Sequence, residues 1–210
     1  MKGGLKQKQL LNLIKEETYM KNKDGNFIRI LGRLKYIQRW QLMRTTTSDD
    51  LAQHSYQVAY LTYVLCQIGN NIYHKNYNVG SCVIAALFHD VPEVVTGDMP
   101  TPIKYSSSEM ESVYKNVEKL AIETLTENTS GYLHFKSIMQ ENNLSDEEKK
   151  IVKASDKLSA YLHTIEEEQN GNTEFLEAKA NLLKTLSDTD LEEVRYFWDN
   201  ILDEVIKTIG

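Results

Sequence analysis

Proline, cysteine and long apolar runs are scarce in this chain of 210 residues. The three prolines all lie between Pro92 and Pro102, and β-branched alternation is rare elsewhere, so helices meet few breaks. The two cysteines, Cys66 and Cys82, lie in apolar helical patterns and indicate neither a disulfide framework nor a thiolate metal site. No apolar run approaches the roughly 18 residues that span a bilayer. We therefore predict an all-α protein with no membrane partner.

Positive charge is also in short supply, because the formal net charge is −6. Phosphate backbones bind basic surfaces, so this balance argues against a partner that is a nucleic acid polymer. One stretch departs from the average: Arg29, Arg33, Lys35, Arg39 and Arg44 follow one another without an intervening Asp or Glu. On charge alone, this stretch predicts either a small-anion site or a solvated helix face.

The length and composition suit one globular domain, with 41% hydrophobic and 26% charged residues. The first residues, 1–7, contain no apolar signal core, which favours a cytoplasmic protein. We expect a helical N-terminal extension over residues 1–26 and one domain over residues 27–210.

Apolar periodicity divides the chain into amphipathic helices. A turn is predicted at residues 23–26 and a helix from Phe27 to Ile37. The spacing of Ser145 and Glu148 predicts a capping box, and Pro92 should end a helix before a loop over 96–102. Further helices are predicted over residues 51–68, 79–90, 107–128, 132–141, 145–169, 174–186 and 191–209.

Four polar side chains on three of these helices predict a metal site. His54 lies in a first turn, His89 and Asp90 follow an apolar run, and Asp156 lies inside an apolar pattern. A carboxylate beside an apolar segment is costly to desolvate unless a cation pairs with it. Two imidazoles and two carboxylates suit Mn²⁺, Co²⁺, Fe²⁺, Ni²⁺ or Zn²⁺ and leave positions for water and substrate.

Each of these residues also has a simpler explanation. A lone helix histidine such as His54 is more often hydrogen-bonded or at the surface, and Asp90 can cap a loop. Asp156 can pair with Lys153 or Lys157 on its own helix.

The order His54, then His89-Asp90, then Asp156 in a helical chain resembles the HD metal-dependent phosphohydrolases. Longer segments are similar to the bacterial HD-domain 5′-deoxynucleotidases: RLKYIQRWQLMR at 33–44, HDVPEVVTGDMPTPIKY at 89–105, and SDEEK at 145–149 leading to Asp156. The resemblance runs from about residue 27 to the C-terminal region. It implies a single HD-domain helical bundle, a homodimer and one divalent transition metal. Co²⁺ or Mn²⁺ is the expected metal, and Fe²⁺, Ni²⁺ and Zn²⁺ are the alternatives.

The resemblance also implies hydrolysis of deoxyribonucleoside 5′-monophosphates. Glu93 lies four residues after His89 and is expected to handle the proton and orient water. Arg39 is expected to bind phosphate and offset its developing charge, and Trp40 to contact the sugar and exclude a ribose hydroxyl. The simpler alternatives, which need no family resemblance, are an exposed loop glutamate for Glu93 and a core aromatic for Trp40.

The segment between Gly97 and Pro102 predicts a constrained substrate loop. Asp98 is expected to accept a hydrogen bond from the sugar 3′-hydroxyl and Thr101 to donate one, with Met99 and Pro100 between them. The simpler alternative is an ordered turn. The remaining histidines are treated as structural or surface residues: His74, His134 and His163.

Two other functions stay open at this point. Another HD enzyme can cleave an alarmone, a cyclic nucleotide or a nucleoside triphosphate with nearly the same ligands. A nucleotide-binding regulator without turnover is the second alternative, although such a protein does not need Glu93.

Overall fold

The computed structural model describes residues 24–104, 106–127, 129–130 and 133–207. Residues 24–31 are helical (α1), and a 3₁₀ turn follows at Leu34–Tyr36. The further helices are α2 (Leu51–Ile72), α3 (Val79–Phe88), α4 (Glu93–Thr96), α5 (Thr101–Lys104), α6 (Ser108–Thr126), α7 (Phe135–Met139), α8 (Asp146–Gln169), α9 (Leu176–Ser187), α10 (Glu192–Asn200) and α11 (Leu202–Lys207). Within the described residues the one β-pairing is an isolated bridge, Gln38 with Asp50, so the all-α prediction is confirmed.

Two apolar clusters fill the interior. The larger lies among α2, α3, α8 and α10 and includes Leu158 and both cysteines, Cys66 and Cys82, which are buried free thiols. The smaller joins α1, α6 and the segment that follows α3. Leu51 belongs to the smaller cluster and Val58 to the larger, so the first turns of α2 lie where the two clusters meet.

Two side-chain caps fix the starts of α2 and α8. Asp50 accepts hydrogen bonds from the backbone N–H groups of Ala52 and Gln53, at 2.9 and 3.0 Å. The predicted capping box of Ser145 and Glu148 is confirmed. Glu148 also accepts a hydrogen bond of 2.7 Å from the backbone of the residue before α3, which ties the starts of α3 and α8 together.

Several predicted boundaries are wrong. Residues 24–26 are helical rather than a turn, and the helix predicted from Phe27 to Ile37 is interrupted after residue 31. α3 ends at Phe88, so His89 and Asp90 lie in the turn after it, and α5 begins inside the predicted loop. The last helix is divided at Ile201, whose backbone leaves the helical region with φ −124°. Residues 1–23 of the helical extension predicted over 1–26 lie outside the described residues.

One window of 18 residues, Val79–Thr96, has a mean hydropathy of 1.4, which is apolar enough for a membrane span. The window is not one helix, because α3 ends at Phe88 and α4 begins at Glu93. The turn between them carries His89 and Asp90. Core segments of soluble proteins reach the same hydropathy, so this window alone is weak support for a membrane span.

Candidate active site

Three predicted ligands converge where α2, the turn after α3 and α8 meet. One ligand atom from each of His54, His89 and Asp156 lies within 4.8 Å of the others. Asp90 adjoins them, with its Oδ2 atom 3.5 Å from His54 Nε2 and 3.2 Å from His89 Nε2. Lys157 Nζ lies 2.9 Å from Asp156 Oδ2, as the simpler alternative predicted, while Oδ1 lies 3.1 Å from His54 Nε2.

Hydrogen bonds behind the two imidazoles assign their tautomers. Ser159 donates its hydroxyl proton to Gln57 at 2.5 Å, so its oxygen accepts from His54 Nδ1 at 2.9 Å. His89 Nδ1 donates to the carbonyl of Ala86 at 2.7 Å. Both histidines therefore direct an Nε2 lone pair toward the carboxylates, which is the usual arrangement behind metal-bound histidine.

This donor set fits a divalent metal. Lone pairs on nitrogen and carboxylate oxygen repel each other unless a proton or a metal ion lies between them. Among the described residues His89 Nε2 is buried without a hydrogen-bond partner. Burial lowers the pKa of His89, but Asp90 outweighs it and raises that pKa to about 9. In the metal-free state the site thus binds a proton in place of the metal ion. The mixed nitrogen and oxygen ligands suit a transition metal.

The carboxylate of Asp49 contacts both Arg39 and Trp40, a role that no pattern in the sequence predicts. Its Oδ2 atom lies 2.6 Å from Arg39 Nη1 and accepts a hydrogen bond of 2.9 Å from Trp40 Nε1. Burial lowers the pKa of Arg39, but Asp49 and Asp156 outweigh it, so the guanidinium stays charged. The adjacent carboxylate, Asp50, instead caps α2.

The residues of the basic stretch divide between the two predictions, a small-anion site and a solvated face. Arg39 is partly buried and lines the cavities described below. The other members are exposed, as the solvated-face alternative predicted: Arg29, Arg33, Lys35 and Arg44.

Trp40 rests on aromatic neighbours. His163 stacks against it with ring centroids 5.6 Å apart and planes at 19°, and Phe175 meets it edge-on at 5.1 Å. Trp40 also has φ +59°, the left-handed region that side chains rarely adopt. His163 is buried and stacks on Trp40, which agrees with the structural one of the two roles predicted for it. Its position two helical turns after Asp156 was the available signal.

A cavity of about 530 Å³ opens beside Asp156. Arg39 and Trp40 line it together with the substrate loop predicted from the sequence. The loop residues that line it are Asp98, Met99, Pro100, Thr101 and Pro102. α9 contributes Ala178, Asn181, Leu182 and Thr185 to the lining. The volume lies in the range of small-molecule sites.

A second cavity, of about 850 Å³, contains Glu93 beside His89 and Asp90. Tyr114 donates a hydrogen bond of 3.4 Å to Glu93 Oε1, whereas Oε2 is buried and has no such partner within the described chain. Burial, followed by the charges of Asp90 and Asp98, raises the pKa of Glu93 to about 9. Glu93 therefore begins α4 as a buried carboxyl that holds a proton.

Seven lysines line this second cavity, of which only Lys153 and Lys157 were named above, as possible partners of Asp156. One comes from α5, two from α6 and four from α8. Their positive charges favour the approach of an anion. They are Lys104, Lys115, Lys119, Lys149, Lys150, Lys153 and Lys157.

Several solved structures share this fold. An HD-domain phosphohydrolase of Listeria innocua has a TM-score of 0.77 at 24% identity and covers 87% of this chain and 89% of its own. The cyanophage S-2L HD phosphohydrolase DatZ, solved with dA and one catalytic Zn²⁺, has a TM-score of 0.62 at 21% identity and covers 85% and 95%. These likenesses confirm the HD-domain helical bundle.

Relatives in sequence are closer. A 5′-deoxynucleotidase of Yersinia pestis is 41% identical over 175 residues, which are 82% of this chain and 89% of the relative. The enzyme of Yersinia pseudotuberculosis matches to the same extent. The family model of YfbR-like 5′-deoxynucleotidases matches residues 26–205. The chain belongs to the YfbR-like 5′-deoxynucleotidase family.

Proposed function

We propose that this protein is a metal-dependent 5′-deoxynucleotidase that hydrolyses deoxyribonucleoside 5′-monophosphates to deoxynucleosides and phosphate. One observation carries the proposal: Asp156, which belongs to the cluster with His54 and His89, lines a cavity that is also lined by Arg39, Trp40 and the substrate loop. The activity in the names of the Yersinia relatives supports it.

Four side chains would hold the metal: His54, His89, Asp90 and Asp156. When bound, a divalent transition metal supplies a Lewis acid and lowers the pKa of bound water. We propose Co²⁺ or Mn²⁺, and the same ligands accept Fe²⁺, Ni²⁺ or Zn²⁺. The Nε2 atom of His89 supports this assignment, because it is buried 3.2 Å from Asp90 Oδ2 and makes no well-aligned hydrogen bond within the described residues.

Glu93 and Arg39 are the proposed catalytic residues. When water attacks phosphorus and the bond to the 5′ oxygen breaks, the water loses a proton and the 5′ oxygen gains one. Glu93 has a buried carboxyl oxygen without a partner among the described residues, which suits it to this proton exchange. Arg39 uses Nη1 for Asp49 and retains further N–H donors for the phosphate.

The two cavity walls are proposed to recognise the sugar. The indole of Trp40 stacks on His163 and donates a hydrogen bond to Asp49. Its bulky edge is proposed to exclude a 2′-hydroxyl. Asp98 accepts the hydrogen bond of the 3′-hydroxyl and Thr101 donates one to the substrate. Met99 and Pro100 complete this wall.

We also propose a cytoplasmic homodimer, without a nucleic acid polymer or membrane as partner. Tyr56, Tyr60 and Tyr63 lie along one exposed face of α2 and Ile84 and Leu87 are exposed on α3, which supports contact with a second copy. The HD domain is proposed to span residues 27–210, with an extension over 1–26.

The proposal is tested by stripping the protein with a chelator, restoring single metals and measuring phosphate release. Substrates are deoxy- and ribonucleoside monophosphates, triphosphates, cyclic nucleotides and alarmone. We expect release with Co²⁺ or Mn²⁺, and more from deoxyribonucleoside monophosphates than from their ribo counterparts. Asp156→Asn is the control and should remain inactive with every metal. Turnover of alarmone or triphosphates alone would contradict the proposal, and no turnover with any metal would favour the regulator.

A further inference from the structure

The wall of the substrate cavity is built from irregular backbone. Residues 39–49 contain neither helix nor strand, yet Arg39, Trp40, Gln41, Leu42 and Met43 line the cavity. Without a ladder of backbone hydrogen bonds, such a segment is ordered by side-chain contacts.

Glu167 of α8 supplies several of those contacts, beside the hydrogen bonds that Arg44 makes with Glu174 and Asn172. It is fully buried, and its carboxylate accepts hydrogen bonds from the backbone N–H groups of Thr46 and Thr47, at 2.9 and 3.0 Å. The hydroxyls of both threonines donate as well, at 2.9 and 3.1 Å, and Asn172 donates at 2.7 Å. One carboxylate thus fastens the end of the cavity wall to α8.

Glu167 is a buried anion held by neutral donors. The one ion-pair neighbour recorded for it in the described chain is His163 Nε2, at 3.8 Å. Burial raises the pKa of Glu167, but the hydrogen bonds from Asn172, Thr46 and Thr47 outweigh it and lower that pKa to about 2. Burial also lowers the pKa of His163, so the imidazole is neutral above the ordinary histidine range. Burial of the Glu167 carboxylate costs desolvation free energy, which favours a specific structural role for this residue.

One face of α8 carries the residues that contact the metal cluster, Trp40 and residues 46–47. Asp156 belongs to the metal cluster, Ser159 orients His54, and His163 stacks on Trp40. Glu167 continues this face at spacings of three, four and four residues. The helix therefore sets the distance from the metal cluster to the segment that carries Trp40.

We propose that Glu167 is a positioning residue that holds the Trp40 wall and thereby sets the preference for deoxyribose over ribose. It does not line the cavity, so it acts through Thr46 and Thr47. The expected effect on sugar preference rests on the proposed function. The expected effect on the packing of Trp40 does not.

The test compares Glu167→Gln with Glu193→Gln, a matched control. Glu193 is equally buried, accepts a hydrogen bond of 2.9 Å from Tyr77, and lines none of the cavities described. Both changes replace a buried carboxylate acceptor by an amide. Both variants are made with Trp198→Phe, which leaves Trp40 as the one tryptophan, since the chain has two.

For Glu167→Gln we expect the KM for a deoxyribonucleoside monophosphate to rise about tenfold, the scale of one charged hydrogen bond. The change in kcat should be smaller, and the deoxy-over-ribo ratio should narrow. Trp40 emission should shift to longer wavelength because the indole is less well packed. Glu193→Gln should lower Tm without moving these three quantities.

Equal KM, sugar ratio and Trp40 emission in the two variants, measured well below Tm, would overturn the positioning role. Should Glu167→Gln fail to fold, the double variant Thr46→Val, Thr47→Val removes the hydroxyl donors from the loop side and carries the same expectations. If the parent protein releases no phosphate from any nucleotide, the proposed function fails. The emission shift of Trp40 then still decides the positioning role.

Discussion

At the residue scale, Glu93 differs from an ordinary surface glutamate in its protonation. Burial and the neighbouring Asp90 and Asp98 raise its pKa from 4.5 to about 9 in the metal-free fold. The folded state therefore binds the proton more tightly than the unfolded chain. This stabilising contribution is fully present below pH 4.5 and is lost as the pH rises toward 9.

Replacement of Glu93 by Gln is expected to separate catalysis from stability. Phosphate release should fall by at least about 10²-fold, since the proton-exchanging carboxyl is gone. The metal-free protein should gain stability, on the order of 1–3 kcal/mol near pH 9, because a neutral amide replaces a buried carboxyl that must bind a proton on folding. Thermal unfolding in chelator from pH 5 to 9 measures the gain, which should grow with pH. Glu192→Gln, at an exposed position on α10, should show neither effect; a Glu93 variant as active as the parent would remove it from the mechanism.

Asp49 and Asp50 are adjacent carboxylates with different tasks, which offers a matched pair of variants. Asp49→Asn removes the charge that holds Arg39 and Trp40, and we expect kcat/KM to fall about tenfold to a hundredfold. Asp50→Asn retains an N-cap of equal quality, so activity should stay near that of the parent. Steady-state kinetics with one deoxynucleotide compares them. Equal activity of the two variants would show that Asp49 does not position the pair.

At the element scale, the capping box made the start of α8 predictable, because it depends on neighbouring residues. The end of α3, the division at Ile201 and α5 were not predictable, since periodicity marks the apolar face of a helix rather than its ends. The same distinction applies to the site. His54, His89 and Asp156 have a recognisable order, whereas the contacts of Asp49 with Arg39 and Trp40 form only after folding.

Removal of the α8 cap should destabilise the fold without changing the chemistry. Ser145→Ala removes the side chain that accepts from the Glu148 backbone N–H, and we expect a loss of about 1 kcal/mol. For a chain of this size that is a fall in Tm of roughly 2–4 °C. Ser145→Asp preserves a capping oxygen and should retain parental stability. A loss of activity at low temperature in Ser145→Ala, with the fold intact, would mean that the cap also shapes the site.

At the scale of the whole molecule, the proposed metal joins helices that are distant in sequence. His54 lies in α2 and Asp156 in α8, while His89 and Asp90 lie in the turn after α3. A ligand that binds only the folded state stabilises it by about 2.7 kcal/mol at one hundred times its Kd. Chelation should therefore lower Tm by several degrees, and Co²⁺ or Mn²⁺ should restore it. In Asp156→Asn, Tm should respond little to chelator; a parent protein insensitive to chelator and added metal would argue against the site.

The alignment of Asp156, Ser159, His163 and Glu167 along α8 constrains how relatives of this chain can change in length. Each residue inserted into an α-helix rotates everything beyond it by about 100°. A single insertion between Asp156 and His163 would turn His163 and Glu167 away from the substrate wall while the metal ligand stayed in place. Insertions and deletions among relatives are therefore expected in the connections on either side of α8 and not within it.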